Sequence, residues 1–210
     1  MIRPETVKGN RQYVPATTII LGSNSRMRRE LLERLQIPFI QTSPLYEEIK
    51  IPGESATDMA LRLAEGKARS IPVDQREKYI IIGSDQVAHV DGTVLFKPGN
   101  HERAVRQLLQ SANRWVTFTT AVCLLDDKNK SVSGVEEYHV KFRQLTHRDI
   151  ERYLELEQPY ESAGSLHAES LGITLLENTN GRDITTLYGL PLMLLQDLFL
   201  QLGIDFVDLR

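Results

Sequence analysis

The fold is decided by the stretch Thr17-Thr18-Ile19-Ile20-Leu21-Gly22-Ser23-Asn24-Ser25-Arg26-Met27-Arg28-Arg29-Glu30. Its first five residues are two threonines and three aliphatic residues, and all but Leu21 are β-branched, so they predict a strand. A helical pattern follows from Glu30 to Leu35. Three arginines stand between the two, where the partial positive charge of a helix N-terminus disfavours cations. Because backbone N–H groups, hydroxyls and guanidinium groups together suit a phosphate, we interpret the junction as a polyphosphate-binding strand-turn-helix.

The arginines also have a simpler interpretation as surface ion pairs. Arg26 precedes Glu30 by four residues and Arg29 precedes Glu33 by the same number, which is the spacing at which helix side chains pair. Arg28 has no such partner, since residues 24 and 32 are Asn and Leu. The residues alone leave both interpretations open, and Arg28 is the arginine that surface pairing does not explain.

The composition is that of an ordinary globular protein. The chain has 210 residues, 41% of them hydrophobic, and a formal net charge of −3. This length fits one domain, or two lobes that share a cleft. The negative net charge gives no sign of nucleic-acid binding, and no apolar run approaches the ~18 residues of a membrane span. We therefore expect a small anionic ligand, bound where cationic side chains are locally concentrated.

The single cysteine and the N-terminal segment restrict the class of protein further. Cys123 lies in an apolar run, so we expect a buried thiol and no intramolecular disulfide. Residues 1–16 are polar, contain Pro4 and Pro15 and lack the hydrophobic core of a signal peptide. We therefore expect a poorly ordered N-terminal extension over residues 1–16, a single domain of two lobes over residues 17–210, and a cytoplasmic location.

Strand and helix signals mix along the rest of the chain. Asp91-Gly92 predicts a hairpin turn, and Ser55 is expected to cap a helix that ends near Arg69. Further strands are predicted at residues 38–40, 79–82, 87–90, 94–96, 115–125, 133–143 and 172–177, and further helices at residues 101–111, 147–156 and 190–202. The fold class is α/β or mixed α+β around a partly parallel sheet. The strand pair at 115–143 is expected in a second lobe, which leaves a cleft between the lobes.

Asp85 is the strongest catalytic candidate in the sequence. It follows the apolar strand Tyr79–Ile82 through Gly83-Ser84, so we expect the strand to deliver a carboxylate to its end, where ligands gather in crossover sheets. A carboxylate beside a buried strand requires a metal, a cation or hydrogen-bond donors. The plainer interpretation of Asp85 is a turn or helix cap.

Glu48, Lys67 and Lys97 are the other charged candidates. Glu48 adjoins Glu47 in a loop, and one carboxylate together with substrate phosphates is the usual ligand set of Mg²⁺. Lys97 precedes a proline, which holds its backbone extended, and Lys67 lies within the second helix. Either lysine is a candidate phosphate contact. A solvated acidic loop and plain surface lysines are the competing interpretations.

Some functional classes are disfavoured by motifs that the sequence lacks. There is no Gly-x-x-x-x-Gly-Lys-Ser/Thr loop, no Gly-x-Gly-x-x-Gly after a strand and no Gly-x-Ser-x-Gly elbow, which argues against P-loop NTPases, Rossmann dehydrogenases and α/β-hydrolases. The histidines do not show metal-ligand spacing, so we expect each to be solvated or hydrogen-bonded; they are residues 89, 101, 139, 147 and 167.

Further short motifs follow the opening stretch along the chain. They are Ser43-Pro44 with Glu47-Glu48, Leu63-Ala64 with Lys67-Ala68, Gly83-Ser84-Asp85-Gln86, Lys97-Pro98, Val140-Lys-Phe-Arg143, Ala163-Gly164-Ser165, Glu169 with Leu171-Gly172-Ile173, Gly181-Arg182-Asp183 and Gly189-Leu190-Pro191-Leu192. The opening itself, Leu21 to Leu32, is similar to L-A-S-x-S-P-x-R-R-x-L-L. In this order, over roughly residues 18–203, the motifs resemble the Maf family of nucleotide pyrophosphatases.

This resemblance implies an enzyme that cleaves a nucleoside triphosphate between the α and β phosphorus atoms. It implies a twisted mixed sheet flanked by helices, two lobes around a cleft, a divalent cation (Mg²⁺ or Mn²⁺) and a homodimer. Asp85 matches the catalytic acid that orients or deprotonates the attacking water, and Glu48 matches the acid associated with the metal. The positions that match the family's phosphate contacts are Ser23, Arg28, Lys67 and Lys97.

The resemblance also extends to a subfamily. Met27 and Gln86 stand where the branch that hydrolyses dTTP and UTP has arginine and threonine, and together with Glu169 they look like the branch acting on 7-methyl-GTP. A methylated guanine is cationic, so arginine near the base would repel it while Glu169 could attract it. Met27 can equally continue the core stripe of the first helix. Alternative functions are dTTP/UTP hydrolysis and a non-catalytic nucleotide-binding regulator.

Overall fold

The computed structural model describes residues 17–73 and 78–209; the predicted extension over residues 1–16 lies outside these ranges. The described strands are β1 (Thr18–Gly22), β2 (Phe39–Thr42), β3 (Tyr79–Val90), β4 (Thr93–Leu95), β5 (Trp115–Asp126), β6 (Ser131–Phe142) and β7 (Leu176–Gly181). The described α-helices are α1 (Arg26–Glu33), α2 (Ala56–Arg69), α3 (His101–Ser111), α4 (His147–Glu157) and α5 (Leu192–Gln201).

The strands form one mixed sheet in the order β2-β1-β3-β5-β6-β7, with β4 also paired to β3. β1 is parallel to both β2 and β3, whereas β3, β5, β6 and β7 pair antiparallel. The class is therefore the mixed, partly parallel sheet flanked by helices that the sequence predicts. The Asp91-Gly92 hairpin is confirmed, since both residues have positive φ and β4 pairs back on β3.

The short parallel end of the sheet is covered on both faces. Ile19, Leu21 and Ile82 pack with α1 and α5 on one face, while Ile20 and Ile81 pack with α2 on the other. Because successive residues of a strand point to opposite faces, two-sided burial explains why both strands are continuously apolar. Cys123 is fully buried within the α2 cluster, as predicted.

A separate core fills the other end of the molecule. It includes Val90 of β3, Leu95 of β4, Phe118 of β5 and Val140 of β6, packed with α3 and α4. The long strands β3, β5 and β6 therefore pass through both lobes. The prediction that residues 115–143 belong to a second lobe is only half right, because these strands also continue the sheet of the first lobe.

Two predicted element boundaries are wrong. The first helix begins at Arg26 instead of Glu30, because the Ser25 side chain caps it by accepting the Arg28 N–H. The strand predicted at 172–177 is a 3₁₀ turn over Leu171–Leu175, and β7 begins only at Leu176. The turn is close-packed: a Cβ on Gly172 would lie 2.4 Å from the His167 carbonyl oxygen.

None of the helices in the described ranges combines the length and the apolar character that crossing a membrane requires.

Candidate active site

A gap in strand pairing exposes the middle of β3. One edge of β3 pairs continuously with β5 from Ile80 to His89. On the other edge, the pairing with β1 ends at Gly83 and the pairing with β4 begins at Ala88. Among the described strands, residues 84–87 therefore have a neighbour on one side only. Asp85 was expected at the end of a strand, but it lies at the centre of a long one, at the point where β1 stops.

Alternation along β3 sends its polar side chains to opposite faces of the gap. Asp85 lies on the face of Gly83 and Val87, against α2, where a Cβ on Gly83 would lie 2.2 Å from the Ala64 carbonyl oxygen. This close approach is possible only because residue 83 is glycine. Ser84 and Gln86 lie on the opposite face, against residues 184–189. Two elements thus meet the same four-residue stretch from opposite sides.

On the α2 face, one ammonium group joins two carboxylates. Lys67 Nζ lies 2.5 Å from Asp85 Oδ1 and 2.7 Å from Glu48 Oε1. The Lys67 and Asp85 side chains are each 11% exposed, whereas that of Glu48 is 47% exposed. Lys67, Asp85 and Glu48, which the sequence singled out separately, therefore form one cluster. In this structure Lys67 pairs with carboxylates, so a contact of Lys67 with phosphate stays a prediction.

The pKa values of Asp85 and Glu48 are shifted in opposite directions. Burial raises the pKa of Asp85, and the charges of Lys67 and Arg28 offset this effect only in part. Partial burial also acts to raise the pKa of Glu48, but the hydrogen bond and charge of Lys67, with the charges of Lys97 and Arg28, outweigh it and lower that pKa. Neighbouring acids whose pKa values are pushed apart are typical of acid–base sites. Asp85 is the one suited to take a proton.

On the opposite face, Arg28 ties the first helix to two other segments. Its Nε donates to the Gly189 carbonyl and its Nη1 donates to the Ser84 carbonyl, both over 2.7 Å. Ser84 Oγ donates to the same Gly189 carbonyl over 3.0 Å. Nη1 also lies 3.4 Å from the buried Ser23 hydroxyl, which accepts the Ser25 N–H. These contacts hold the guanidinium at the gap, and Nη2 carries two further N–H groups.

The other arginines of the junction have the surface roles that their spacing predicts. Arg26 pairs with Glu30 over 2.7 Å and Arg29 pairs with Glu33 over 3.2 Å, on exposed side chains. The surface-pair interpretation is therefore right for Arg26 and Arg29, and phosphate binding by the junction stays a prediction that concerns Arg28. Only Arg28 turns inward, as its missing i, i+4 partner indicated.

A single cavity of about 440 Å³ runs along the gap, within the size range of ligand pockets. Its cationic end is lined by Ser23, Arg28, Glu48, Lys67, Asp85 and Lys97. Its other end is lined by Met27, Gln86, Glu161, Ser162, Leu166, Glu169, Leu187 and Tyr188. The cavity thus brings together every residue that the sequence predicted for catalysis, phosphate binding, metal binding or base selection. Those roles stay predictions.

Gln86 and Met27 also have structural contacts. The Gln86 side-chain amide donates to the Thr186 and Leu187 carbonyls and to Thr120 Oγ1. Met27 lines the cavity and packs against the core beneath α1, so its two interpretations are compatible. Gln86 therefore fixes the segment that carries Gly189 and Tyr188, in addition to lining the cavity.

The loop that carries Glu48 is held by an ion pair, the anchor of this loop, that the sequence analysis did not predict. Arg62 of α2 donates from Nε and Nη2 to the two Glu54 carboxylate oxygens, both over 2.6 Å, and from Nη2 to the Ile49 carbonyl over 3.1 Å. The hydrogen bonds from Arg62 lower the pKa of Glu54. The two residues are eight apart in the sequence, which is no helical spacing, so their pairing left no signal there.

A smaller apolar compartment of about 170 Å³ adjoins the cavity beneath the same loop. It shares Glu48, Asp85, Gln86, Lys97 and Ala163 with the cavity. Its own lining is mainly hydrophobic: Ile49, Met59, Leu63, Val87, Val94, Leu95 and Phe96. Its remaining charged residues, Lys50 and Arg62, are cationic.

The described ranges do not contain a group of three or more His, Cys, Asp or Glu side chains able to hold a metal ion by themselves. Glu48 and Asp85 nevertheless offer two carboxylates around one ammonium. One or two protein carboxylates completed by substrate phosphates and water are a normal Mg²⁺ ligand set. The residues present therefore fit a cation that arrives with a polyphosphate.

Cationic groups, a buried carboxylate of raised pKa and a cavity of ligand size are the features expected of a site that hydrolyses an anionic substrate. The comparisons with known proteins agree. The profile of the family described as "Maf-like protein" matches residues 18–202, so this chain belongs to the Maf family.

Two relatives that share more than 40% of their residues with this chain support the same assignment. The chain is 47% identical to the 7-methyl-GTP pyrophosphatase of Pseudoalteromonas atlantica over 191 residues, which cover 90% of this chain and 97% of that protein. It is 42% identical to the protein of the same name from Pseudomonas aeruginosa, over 89% of this chain and 97% of that one. A solved dITP/XTP pyrophosphatase from Mycobacterium abscessus aligns over 61% of this chain and 76% of its own, at 18% identity and a TM-score of 0.42.

Proposed function

We propose that this protein is a nucleoside triphosphate pyrophosphatase that hydrolyses 7-methyl-GTP to 7-methyl-GMP and pyrophosphate. The observation that carries the proposal is the placement of Asp85 in one cavity with Arg28, Lys67 and Lys97. Phosphoryl transfer requires positioning and charge neutralisation more than covalent help, and this set of residues provides both. The names of the curated relatives support the choice of substrate.

In the proposed reaction, Asp85 takes a proton from the attacking water. Its carboxylate is buried and its pKa is raised, so it is a stronger base than an exposed aspartate. The water oxygen then attacks the α phosphorus. The bond from this phosphorus to the oxygen that bridges it to the β phosphorus breaks, and pyrophosphate leaves. Ser23, Arg28 and Lys97 bind the polyphosphate. Lys67, which lies between Glu48 and Asp85, also interacts with the phosphates.

The proposed cofactor is Mg²⁺ or Mn²⁺, held by Glu48 together with the substrate phosphates. The cation would neutralise charge on the leaving pyrophosphate. Glu48 keeps its negative charge at neutral pH because its pKa is lowered, as a metal ligand must. If the proposal is right, a chelator abolishes turnover and Mg²⁺ or Mn²⁺ restores it, whereas Glu48→Gln raises the metal concentration required.

Two further parts of the proposal concern the location and the oligomeric state of the enzyme. We place the enzyme in the cytoplasm, where nucleotides are available, and we expect a homodimer. Light scattering of the purified chain tests the oligomeric state, and a monomeric mass would remove that part without touching the site.

A nucleotide panel tests the proposed function most directly. The protein is incubated with 7-methyl-GTP, GTP, UTP and dTTP in the presence of Mg²⁺ or Mn²⁺, and the products are separated by ion-exchange chromatography. We expect a monophosphate and pyrophosphate, with the highest kcat/KM for 7-methyl-GTP. A preference for UTP and dTTP would move the substrate to the other branch. Orthophosphate as the only phosphate product, or tight binding without turnover, would contradict the proposal.

A further inference from the structure

A single ammonium group holds both carboxylates at the cationic end of the cavity. Lys67 Nζ pairs with Asp85 Oδ1 over 2.5 Å and with Glu48 Oε1 over 2.7 Å. Within residues 17–73 and 78–209, neither carboxylate forms an ion pair with any other side chain. We call Glu48, Lys67 and Asp85 the charge cluster. Its ammonium lies between the two acids, which is the position that any cation shared by these acids must take.

The position of the ammonium is set by the packing of α2 on β3. A Cβ on Gly83 would lie 2.9 Å from the Ala68 Cβ, so the helix lies directly against the strand that carries Asp85. The Lys67 side chain is 11% exposed, and a buried ammonium is unfavourable without an anionic partner. Lys67 also lines the cavity. Its flexible stem can therefore exchange the two acids for a ligand anion in the cavity.

The balance of charge at this end disfavours a divalent cation that arrives alone. The two acids of the charge cluster face three cations, which are Lys67, Arg28 and Lys97. Arg28 acts electrostatically on both acids, and Lys97 acts on Glu48. Since like charges repel strongly at short range, a lone metal ion meets a net positive site whose carboxylates are already paired. A polyphosphate carries several negative charges and reverses this balance.

We propose that Lys67 takes the place of the divalent cation until a polyphosphate arrives, so that the site binds the metal–polyphosphate complex and not the metal alone. Phosphate oxygens draw the ammonium away from the acids. Glu48 is then free to bind the metal, and Asp85 is free to accept a proton from water. The charge cluster thereby keeps the base paired until substrate is present. This inference rests on the proposed function, because it assumes the polyphosphate and the cation of that reaction.

A permanent ion pair is the alternative role of Lys67. In that case the metal ion binds elsewhere in the cavity, and Lys67 affects it only through distance-dependent repulsion, as Lys97 does. The two roles therefore differ in how strongly metal binding depends on Lys67 compared with Lys97. They also differ in whether the metal that binds after removal of the Lys67 charge requires Glu48.

Metal binding without nucleotide tests the inference. Mn²⁺ is titrated into the native chain and into Lys67→Met at mildly alkaline pH, and free Mn²⁺ is measured by electron paramagnetic resonance. Methionine has nearly the length of the lysine stem but no charge. We expect Lys67→Met to bind Mn²⁺ at least about tenfold more tightly than the native chain, because a positive charge in contact with the ligand carboxylates is removed.

Lys97→Met is the matched control, since it removes the same charge from the same end of the cavity without breaking an ion pair of the charge cluster. Its Mn²⁺ affinity should rise less than about threefold, because a more distant charge is screened. The double variant Lys67→Met/Glu48→Gln shows where the metal binds, and it should lose most of the gain. Lys67→Gln, which keeps an N–H donor for the acids, is a second neutral variant if methionine is not tolerated.

The dependence on phosphate is measured with inorganic pyrophosphate, a product of the proposed reaction. A ligand that binds the folded protein raises its melting temperature. Mn²⁺ alone should leave the melting temperature of the native chain unchanged and should raise that of Lys67→Met. Mn²⁺ together with pyrophosphate should raise the melting temperature of the native chain beyond the effect of pyrophosphate alone. The same melting curves identify any variant that fails to fold.

The outcomes separate the inference from the proposed function. Equal Mn²⁺ affinities of the native chain and Lys67→Met, an equal gain in Lys97→Met, or a gain that persists in the double variant would overturn the role of Lys67 even if pyrophosphate is released from 7-methyl-GTP. Absence of pyrophosphate release, with the Lys67→Met gain and the pyrophosphate effect intact, would overturn the proposed reaction and leave the exchange of Lys67 standing.

Discussion

The two ends of the cavity are built in different ways. The cationic end is formed by side chains from α1, α2 and β3, and its key groups, Arg28 and Asp85, are fixed by bonds of 2.5 to 2.7 Å to backbone carbonyls or to Lys67. The acidic end is formed largely by irregular segments over residues 161–170 and 184–189, where Glu161 and Glu169 are exposed. In the proposed binding mode, the first end faces the triphosphate, which all nucleoside triphosphates share, and the irregular end faces the base, in which they differ. This division lets base preference change without disturbing the chemistry.

The largest effect is expected at the centre of the cationic end. Asp85→Asn keeps the shape of the side chain but removes the base, so kcat should fall by ~10²-fold or more. Pyrophosphate release from 7-methyl-GTP is the measurement. Asp91→Asn in the exposed hairpin is the matched control and should leave kcat unchanged. Equal activity of Asp85→Asn and the native chain would remove Asp85 from the mechanism.

Arg28 and Arg29 provide the next test, since they are adjacent in sequence and opposite in role. Arg28→Lys keeps the charge but cannot donate to both Gly189 and Ser84. Loss of a charged hydrogen bond is worth about 1.5–3 kcal/mol, so KM should rise roughly ten- to hundredfold. Arg29→Lys, which alters only a surface pair with Glu33, should change KM less than twofold. Similar effects from both variants would contradict the assignment of the inward arginine.

The opposite shifts of the two carboxyl groups predict the pH dependence. Asp85 must be ionised to accept a proton, and its pKa is raised by burial, so activity should already fall as the pH drops through a range above that of an ordinary aspartate. Glu48, whose pKa is lowered, should not contribute in that range. The acidic limb of kcat/KM against pH is the measurement. Because the charge of Glu48 also acts to raise the pKa of Asp85, Glu48→Gln should move this limb to lower pH without abolishing it. A limb that disappears in Glu48→Gln would instead assign the titration to Glu48.

A smaller effect is expected where the cationic end borders a loop. Glu54→Gln breaks the ion pair with Arg62 and loosens the loop that carries Glu48. We expect the Mg²⁺ concentration at half-maximal activity to rise severalfold, with little change in kcat at saturating metal. Glu65→Gln removes an exposed pair with Arg69 on the same helix and should leave the metal requirement unchanged. If the two variants behave alike, the anchor does not position Glu48.

The smallest effect is expected at the acidic end. Glu169→Gln removes one charge from an exposed position, so the preference for 7-methyl-GTP over GTP should fall about two- to fivefold, on the scale of a weakened charged contact in partly exposed surroundings. Turnover of GTP itself should stay nearly constant. A uniform loss for both nucleotides would place Glu169 in the shared machinery and weaken the division between the two ends.

Much of the fold could be predicted from local patterns. The capping residue Ser55 fixed the start of α2, and the Asp91-Gly92 turn fixed the hairpin, because each acts within a few residues of itself. The strand predicted at 172–177 failed for the opposite reason: Leu171–Leu175 is apolar like a strand, but it packs as a 3₁₀ turn against His167. Only a contact with another segment distinguishes the two.

The candidate site also has one part that could be predicted from local sequence and another part that could not. Spacing along the sequence was enough to separate Arg28 from its surface-paired neighbours, because helical pairing depends only on residues four apart. It also identified the acids and lysines with chemical potential. The sequence could not predict the ion pair of Arg62 with Glu54. It also could not predict the hydrogen bonds that link Glu157 to Ser162 through residue 167, because these partners meet through the folding of loops.

The sequence by itself determined which residues can bring positive charge to a phosphate and most of the segments that become strands, since both follow from residue type and short-range periodicity. Tertiary structure alone decided that β1 ends opposite Gly83, so that Asp85 lies in a gap at the middle of a strand instead of at its end. It also decided that α2 and residues 184–189 meet that gap from opposite faces. The physical reason is that strand pairing and burial join residues far apart in the chain, and the pKa of Asp85 depends on those neighbours.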